Sequence, residues 1–334
     1  MDMDELLKQC FHLGASDLHI SPNRPPLFRI DGDLTPGKDM PLLLPEDTKR
    51  LISSTMDEKL LQDFTKLLEV DYATEVKDLA RFRVIPSVVP TLESLDLPDI
   101  FKRLLDLPNG LILVTGPTGS GKSTTLAAMV NHINLTKPNH IITVEDPIEF
   151  THTSKKSLIN QRQIARDTHD FAAALRSALR EDPDDLLVGE MRDLETIRLA
   201  LTAAETGHLV LATLHTSSAP RTISRIVDVF PAGEKNVIRN MLSESIQGVI
   251  CQTLLKKIGG GRVAAFEIMV GTSAIRNLIR EDKVAQMYTA IQTGHAAGMC
   301  TLDQYLQELL NKQLITMESA HEVAMDKHHF KVIG

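Results

Sequence analysis

Residues 111–124 read Leu-Ile-Leu-Val-Thr-Gly-Pro-Thr-Gly-Ser-Gly-Lys-Ser-Thr. An apolar run of strand length enters a glycine-rich turn, and the turn opens a helical stretch. Gly116 to Ser123 fits G-x-x-x-x-G-K-[ST] in the strand-to-helix setting that this pattern requires. Glycines let backbone N–H groups close around phosphate oxygens, and the N-terminus of the following helix adds positive potential. Gly116, Pro117, Thr118, Gly119, Ser120, Gly121, Lys122, Ser123 and Thr124 are therefore the expected nucleotide-phosphate site. Lys122 would reach the β- and γ-phosphates and Ser123 would ligate Mg2+, so ATP and Mg2+ are the expected ligands.

Further apolar runs of strand length stand at Ile141–Val144, Leu186–Val188, Leu209–Thr213 and Val263–Val270. Amphipathic stretches separate several of them. In 167–181, Phe171, Leu175, Ala178 and Leu179 share a face, with Asp167 or Thr168 as the expected cap. Strands alternating with helices predict an α/β fold whose parallel sheet is covered on both faces. Residues 1 to about 85 predict a smaller α/β unit. It has a helical repeat at Leu6, Leu7, Cys10 and Phe11, strands at Asp17–Ile20 and Pro26–Ile30, and an Asp31-Gly32 turn. A helix over Glu46–Leu68 and a strand at Arg81–Val84 follow; Ile85–Pro98, with three prolines, reads as a linker. Beyond residue 272 the pattern is helical, at 274–281, 283–292, 301–311 and 316–325. The expected domains are 1–90, 91–271 and a C-terminal helical region, 272–334.

With 334 residues, 43% of them hydrophobic, a sizeable core can be buried. The 36 Lys and Arg against 44 Asp and Glu argue against a general grip on nucleic acid, which needs a basic surface. Cys10, Cys251 and Cys300 are far apart and form no C-x-x-C pair, so neither a zinc site nor a disulfide framework is expected. A reducing cytoplasm fits. The acidic start lacks a signal-peptide core, and no apolar run approaches the roughly 20 residues of a membrane span.

Three more stretches carry chemistry. Leu186-Leu187-Val188-Gly189-Glu190 ends a buried strand in a carboxylate, and Glu190 is the candidate base for the attacking water. Ile142 to Glu149 delivers Glu145 and Asp146 at another strand end, where the C-terminal edge of a parallel sheet faces ligand. Turn acids before a proline are the plain alternative. His215, just past Leu211–Thr213, is placed to sense the γ-phosphate or position Glu190, although a lone His is more often structural. Arg176, Arg180, Arg192 and Arg198 flank the Glu190 strand. Arg176 and Arg180 would pair with Glu181 or Asp182, or reach a neighbouring subunit's nucleotide.

In chain order, Gly116–Thr124, Ile142–Glu149, Leu186–Glu190 and Thr213–Ser217 resemble the Walker A, Asp box, Walker B and His box of the secretion ATPases. Arg176–Pro231 and Ala274–Glu281 (AIRNLIRE) are similar to the pilus retraction (PilT-type) branch, as are Ala15–His19 and Ala80–Val84. The resemblance spans nearly the whole chain. It implies a RecA-like P-loop NTPase domain preceded by a PAS-like α/β domain, assembled as a homohexamer with ATP held between domains. Glu190 would be the catalytic glutamate, Glu145 the Asp-box acid and His215 the His-box residue. The implied function is ATP hydrolysis that powers type IV pilus retraction, with twitching motility and DNA uptake depending on it. The ring would sit on the cytoplasmic face of an inner-membrane platform protein and act indirectly on pilin. Arg276 would serve retraction rather than hydrolysis.

The chain departs from the branch in three places. Arg81-Phe82-Arg83-Val84 runs straight into Ile85-Pro86-Ser87, where relatives carry a further stretch with basic residues directed at the nucleotide. Its loss would weaken stabilisation of the transferring phosphoryl group, leaving Arg81 and Arg83 as the basic pair nearest that point. Asp185 stands where an apolar residue is usual and would shorten its strand. Ser245-Ile246-Gln247-Gly248 lacks an arginine found in relatives. The alternatives are a hydrolysis-impaired nucleotide-binding ring component, or a pilus-assembly or type II secretion ATPase. The latter usually carries a four-cysteine zinc motif and an extra N-terminal domain, which are not seen here. A DNA-translocating RecA relative ranks lower.

Overall fold

The computed structural model describes residues 2–15, 17–30, 33–56, 72–76, 80–84 and 89–330. Ser16, the Asp31-Gly32 turn, the 57–68 part of the expected first-unit helix and the start of the expected linker at 85–88 lie outside them. Two compact units divide the chain at Val88/Val89. The first contains α1 (Met3–His12), a three-stranded antiparallel sheet of β1 (Asp17–His19), β2 (Leu27–Ile30) and β3 (Asp33–Pro36), and α2 (Pro45–Ser53). A hairpin of β4 (Tyr72–Val76) and β5 (Ala80–Val84) completes it, with Arg81 opposite Glu75 and Arg83 opposite Ala73. Leu6, Leu7, Cys10, Phe28 and Leu51 form its core; the 3.6-residue repeat of α1 turns Leu6, Leu7 and Cys10 inward, whereas Phe11, the fourth member of the expected repeat, is exposed.

The second unit begins with a segment that is folded rather than loose. Leu92 is buried, and Thr91 and Ser94 bond each other's backbones. Then come α3 (Ile100–Leu105), β6 (Gly110–Thr115), α4 (Lys122–Thr136), β7 (His140–Glu145), β8 (Leu158–Gln163), α5 (Phe171–Ala178) and β9 (Asp185–Val188). They are followed by α6 (Leu194–Glu205), β10 (Leu209–Leu214), α7 (Ala219–Asp228), α8 (Lys235–Ser245), β11 (Ile246–Lys256) and β12 (Arg262–Val270). The chain closes with α9 (Ser273–Arg280), α10 (Val284–Thr293), α11 (Leu302–Asn311) and α12 (Met317–Val323). Seven strands form one sheet in the order β12-β11-β6-β10-β9-β7-β8, parallel except for β12 at one edge.

The period-2 alternation of a strand puts β6 side chains into two cores at once. Leu111 and Leu113 join the cluster built with α5 to α10, while Ile112 and Val114 join the cluster built with α3 and α4. A strand covered on both faces must be apolar at every position, which is why β6 reads as an unbroken run. The crossovers from these buried strands return all turns that follow β6, β7, β9 and β10 to one edge of the sheet.

Three local expectations are corrected. Helix α5 is capped by Asp170, whose Oδ1 accepts the Ala173 N–H at 2.7 Å, not by Asp167 or Thr168. Those two are used earlier: Asp167 accepts the Gln163 N–H, and Thr168 pairs with Ile164 in an isolated bridge. Asp185 does not shorten β9 but begins it, because its carboxylate accepts Asn139 Nδ2 at 2.7 Å and so tolerates burial. Strands β3, β4, β8 and β11 were not expected.

Candidate functional site

The phosphate loop leaves β6 at Gly116, and α4 starts at Lys122. Gly116 and Gly121 have φ of 146° and 87°, the region glycine adopts without Cβ strain. Gly121 is the N-cap of α4 and has no side chain to cap it, so the first-turn N–H groups remain available to an anion. Lys122 Nζ donates to the carbonyls of Gly116 and Pro117 at 2.9 and 3.0 Å, folded over the loop. Burial lowers its pKa, opposed by the carboxylates of Glu190 and Glu149. Ser120 Oγ is buried without a partner among the described residues. Ser123 and Thr124 follow half-buried on the first turn of α4.

Strand order, which cannot be read from sequence, decides what joins this loop. β10 lies directly beside β6, β9 beside β10, and β7 beside β9. Their C-terminal ends carry His215, Glu190 and Glu145. Two cross-links fasten the tips of β9 and β10: the Met191 N–H donates to the Thr213 carbonyl at 3.1 Å, and Thr213 Oγ1 donates to the Gly189 carbonyl. Glycine at 189 suits this close approach, since a Cβ there would lie 3.0 Å from the Val144 carbonyl oxygen of β7. Glu190 thus emerges held on both sides. Its Oε1 meets His215 Nε2 at 3.1 Å and Arg192 Nε at 2.6 Å, with 18% of its side chain exposed. Burial raises the Glu190 carboxyl, but Arg192 and His215 outweigh it and hold it below the ordinary glutamate value. It is therefore an ionised carboxylate with two displaceable donors.

Glu145 sits at the tip of β7. Its Oε1 accepts Thr143 Oγ1 at 2.7 Å and Gln161 Nε2 at 3.2 Å, and burial raises its carboxyl above the ordinary value. Asp146 beside it is exposed, and its charge reaches Arg192. The edge strand β8 organises this corner. Gln161 also donates to the Phe150 carbonyl and accepts the His152 N–H, and Gln163 accepts the Ile148 N–H.

The remaining basic residues lie elsewhere. Arg176 pairs with Glu195, not with Glu181 or Asp182, because Glu181 is taken by Arg162 at 2.5 Å. Arg180 is exposed, and Arg198 pairs with Glu234 while its guanidinium lies 5.2 Å from the Phe230 ring centre. Arg276 on α9 is a clamp. It donates to the carbonyls of Gly271, Ser243 and Glu244 and to Gln247 Oε1, tying α9 to the end of α8 and the start of β11. Gln247 thus occupies the neighbourhood where an arginine was missed in the sequence. Arg81 and Arg83 are placed by backbone pairing on β5 of the first unit. Sequence reasoning missed the ties of Arg192 to Glu190 and of Gln161 to Glu145. The i to i+2 spacing of Glu190 and Arg192 was the available signal for the first.

The family model "Type II/IV secretion system protein" matches residues 93–260. The chain is 59% identical to the type IV pilus retraction ATPase PilT of Pseudomonas aeruginosa, over 99% of this chain and all of that protein. The chain belongs to the type II/IV secretion ATPase family. A twitching motility protein of Neisseria gonorrhoeae is 53% identical, over 90% of this chain and 84% of its own length. Among solved structures, the pilus retraction motor PilT with bound ADP superposes with a TM-score of 0.72 at 48% identity, covering 98% of both chains. The α/β architecture, with a RecA-like P-loop unit and a smaller N-terminal unit, is that of these family structures, and the chain is an ATPase of the family. Among the described residues, no helix is long and apolar enough to cross a membrane.

Proposed function

We propose that the chain is a motor that hydrolyses ATP to ADP and phosphate to power type IV pilus retraction and twitching motility. The observation that carries this reading is the Glu190 carboxylate, held ionised by His215 and Arg192 at the sheet edge where the phosphate loop begins. Loop amides and Lys122 would bind the triphosphate. Glu190 would orient the attacking water and accept its proton, and His215 would set the carboxylate and report the γ-phosphate. Glu145 and Asp146 complete the acidic wall of the site. The Ser123 hydroxyl and nearby carboxylates are hard oxygen donors of the kind Mg2+ takes together with nucleotide phosphates. Bound Mg2+ supplies charge neutralisation at the phosphates.

In this reading residues 1–90 form a PAS-like domain, 91–271 the RecA-like motor domain and 272–334 the C-terminal helical region. Six copies form a ring that works peripherally at the cytoplasmic face of an inner-membrane platform protein. Arg176, exposed on α5, and Arg180, exposed in the turn that follows it, are offered to a neighbouring subunit. Arg276 couples α9 to retraction rather than to hydrolysis. The test is complementation of a strain whose pili do not retract, alongside the mass of the purified assembly with ADP. Wild type is expected to restore twitching and to form hexamers, and Glu190→Gln to form hexamers without restoring it. Twitching restored equally by both would refute the reading.

A second reading is favoured by one observation. The alignment with the Pseudomonas relative spans 345 positions against 334 residues here, so it holds gaps on this side. If these fall after Val84, basic residues directed at the phosphates are lost and the chain is a slow, nucleotide-binding ring component. Inserting the relative's stretch after Val84 should then raise turnover; unchanged turnover would exclude this reading.

A further inference from the structure

Strand β11 runs parallel to β6, and Cys251 is the partner of Thr115, the last residue before the phosphate loop. The next residue, Gln252, therefore stands level with the loop itself. It is 4% exposed, and both ends of its carboxamide are used. Oε1 accepts Thr125 Oγ1 at 2.7 Å, and Nε2 donates to the Ser120 carbonyl at 2.7 Å. A Cβ added to Gly121 would lie 2.8 Å from Nε2, and one added to Gly116 would fall on the Gln252 backbone carbonyl. One residue from outside the nucleotide motif thus meets the loop at its first glycine, at its last turn and on the first turn of α4.

The Ser120 contact has a geometric consequence. In a trans peptide the C=O and the following N–H point in opposite directions. Anchoring the Ser120 carbonyl toward β11 turns the Gly121 N–H away from β11, the orientation in which a loop amide can serve an anion. Gly121 has no Cβ and a φ of 87°, so little else resists rotation of this peptide. Removing the carboxamide would also leave a buried carbonyl and a buried hydroxyl without partners.

We propose that Gln252 is a positioning residue of the nucleotide site, its carboxamide fixing the Ser120–Gly121 peptide so that the Gly121 amide meets the phosphates of a nucleoside di- or triphosphate. The inference rests on the reading that nucleotide binds at Gly116–Thr124. Loop amides hold phosphates both before and during hydrolysis, so the effect belongs to binding. KM for ATP and Kd for ADP rise together while kcat is kept.

The experiment uses the full chain with a fluorescent ADP analogue, steady-state ATP hydrolysis and thermal unfolding. Gln252→Met keeps the volume and removes both hydrogen bonds. It is expected to weaken ADP and raise KM about tenfold, with kcat within about twofold. Gln252→Glu in its ionised form still accepts from Thr125 but does not donate to Ser120, so at about pH 8 and above it is expected to fail to rescue binding. Thr125→Val removes the hydroxyl alone and should cost a few-fold, with no further cost in the Gln252→Met background. A role confined to fold stability would instead lower the melting temperature and apparent kcat with KM unchanged, and that outcome overturns the proposal. Unchanged ADP affinity in Gln252→Met overturns it as well. Should that variant not fold, unchanged affinity in Thr125→Val does so. Wild type that binds no ADP would overturn the nucleotide reading itself.

Discussion

Strand β9 carries an acid at each end. Asp185 opens it at 2% exposure, and Glu190 stands just past its close with 18% of its side chain exposed. Both are raised by burial, yet their environments part there. Asp185 has one neutral donor, Asn139, and stays raised above the ordinary aspartate value. Glu190 has a guanidinium and an imidazole and ends lowered. At the Asp185 end of the sheet, polar groups are spent on one another: Asp184 accepts the His140 N–H, and Gln247 is shared between Arg276 and the Asn109 carbonyl. At the Glu190 end the partners are displaceable, and the loop amides and the Lys122 ammonium face groups that a phosphate could replace. The same strand therefore ends in mutually satisfied polar groups at one tip and, in the proposed reading, in the reacting carboxylate at the other, and the difference lies in charged, exchangeable donors.

The contrast is broken most severely from the chemical end. Lys122→Ala removes the charge beside Glu190 and Glu149 and is expected to lower kcat/KM by about 10²–10³-fold without unfolding the protein; steady-state phosphate release measures it. Arg192→Gln sharpens the contrast. Without the guanidinium the Glu190 carboxyl rises, and a base must be ionised to act. The acid limb of the kcat–pH profile is then expected to move to higher pH, with a few-fold loss near neutrality.

Asp185→Asn tests the structural tip. The folded chain holds the Asp185 proton more tightly than the unfolded chain does. Stability therefore falls as pH rises from the ordinary aspartate value through the raised one. Unfolding free energies from urea titrations at about pH 4 and about pH 7 should differ less in the Asn variant, by about 1 kcal/mol or less, with kcat unchanged. The smallest effect is expected for Arg176→Ala. Its pair with Glu195 is exposed, so the melting curve should report a change within about 0.5 kcal/mol; a larger loss of hydrolysis in the assembled ring would mark a role across a subunit boundary.

Much of the site was legible because its chemistry is local. A buried run, a glycine turn and a lysine specify the strand–loop–helix of residues 111–124 by themselves, and a strand followed by Gly189-Glu190 places its carboxylate at the sheet edge. What was not legible is pairing. β11 escaped notice because it continues from α8 without a turn and carries Gln247 and Gln252 where an apolar run would be expected. β8, Leu158 to Gln163, is an edge strand with half-polar faces, so it lacks the signature of a buried strand. Arg276 carried only a role implied by the resemblance, and the carbonyls through which it closes a helix terminus are not displayed by sequence. Strand order, which sets His215 and Glu190 side by side, arises only from packing.

The central claim is that Glu190 prepares water for attack on a nucleotide that the loop already holds. The direct measurement is phosphate release in a single turnover of ATP by Glu190→Gln, with nucleotide affinity determined on the same sample. Affinity close to wild type with release slowed by about 10²–10⁴-fold is the expected result. Release at the wild-type rate by a variant that binds ATP normally would contradict the account.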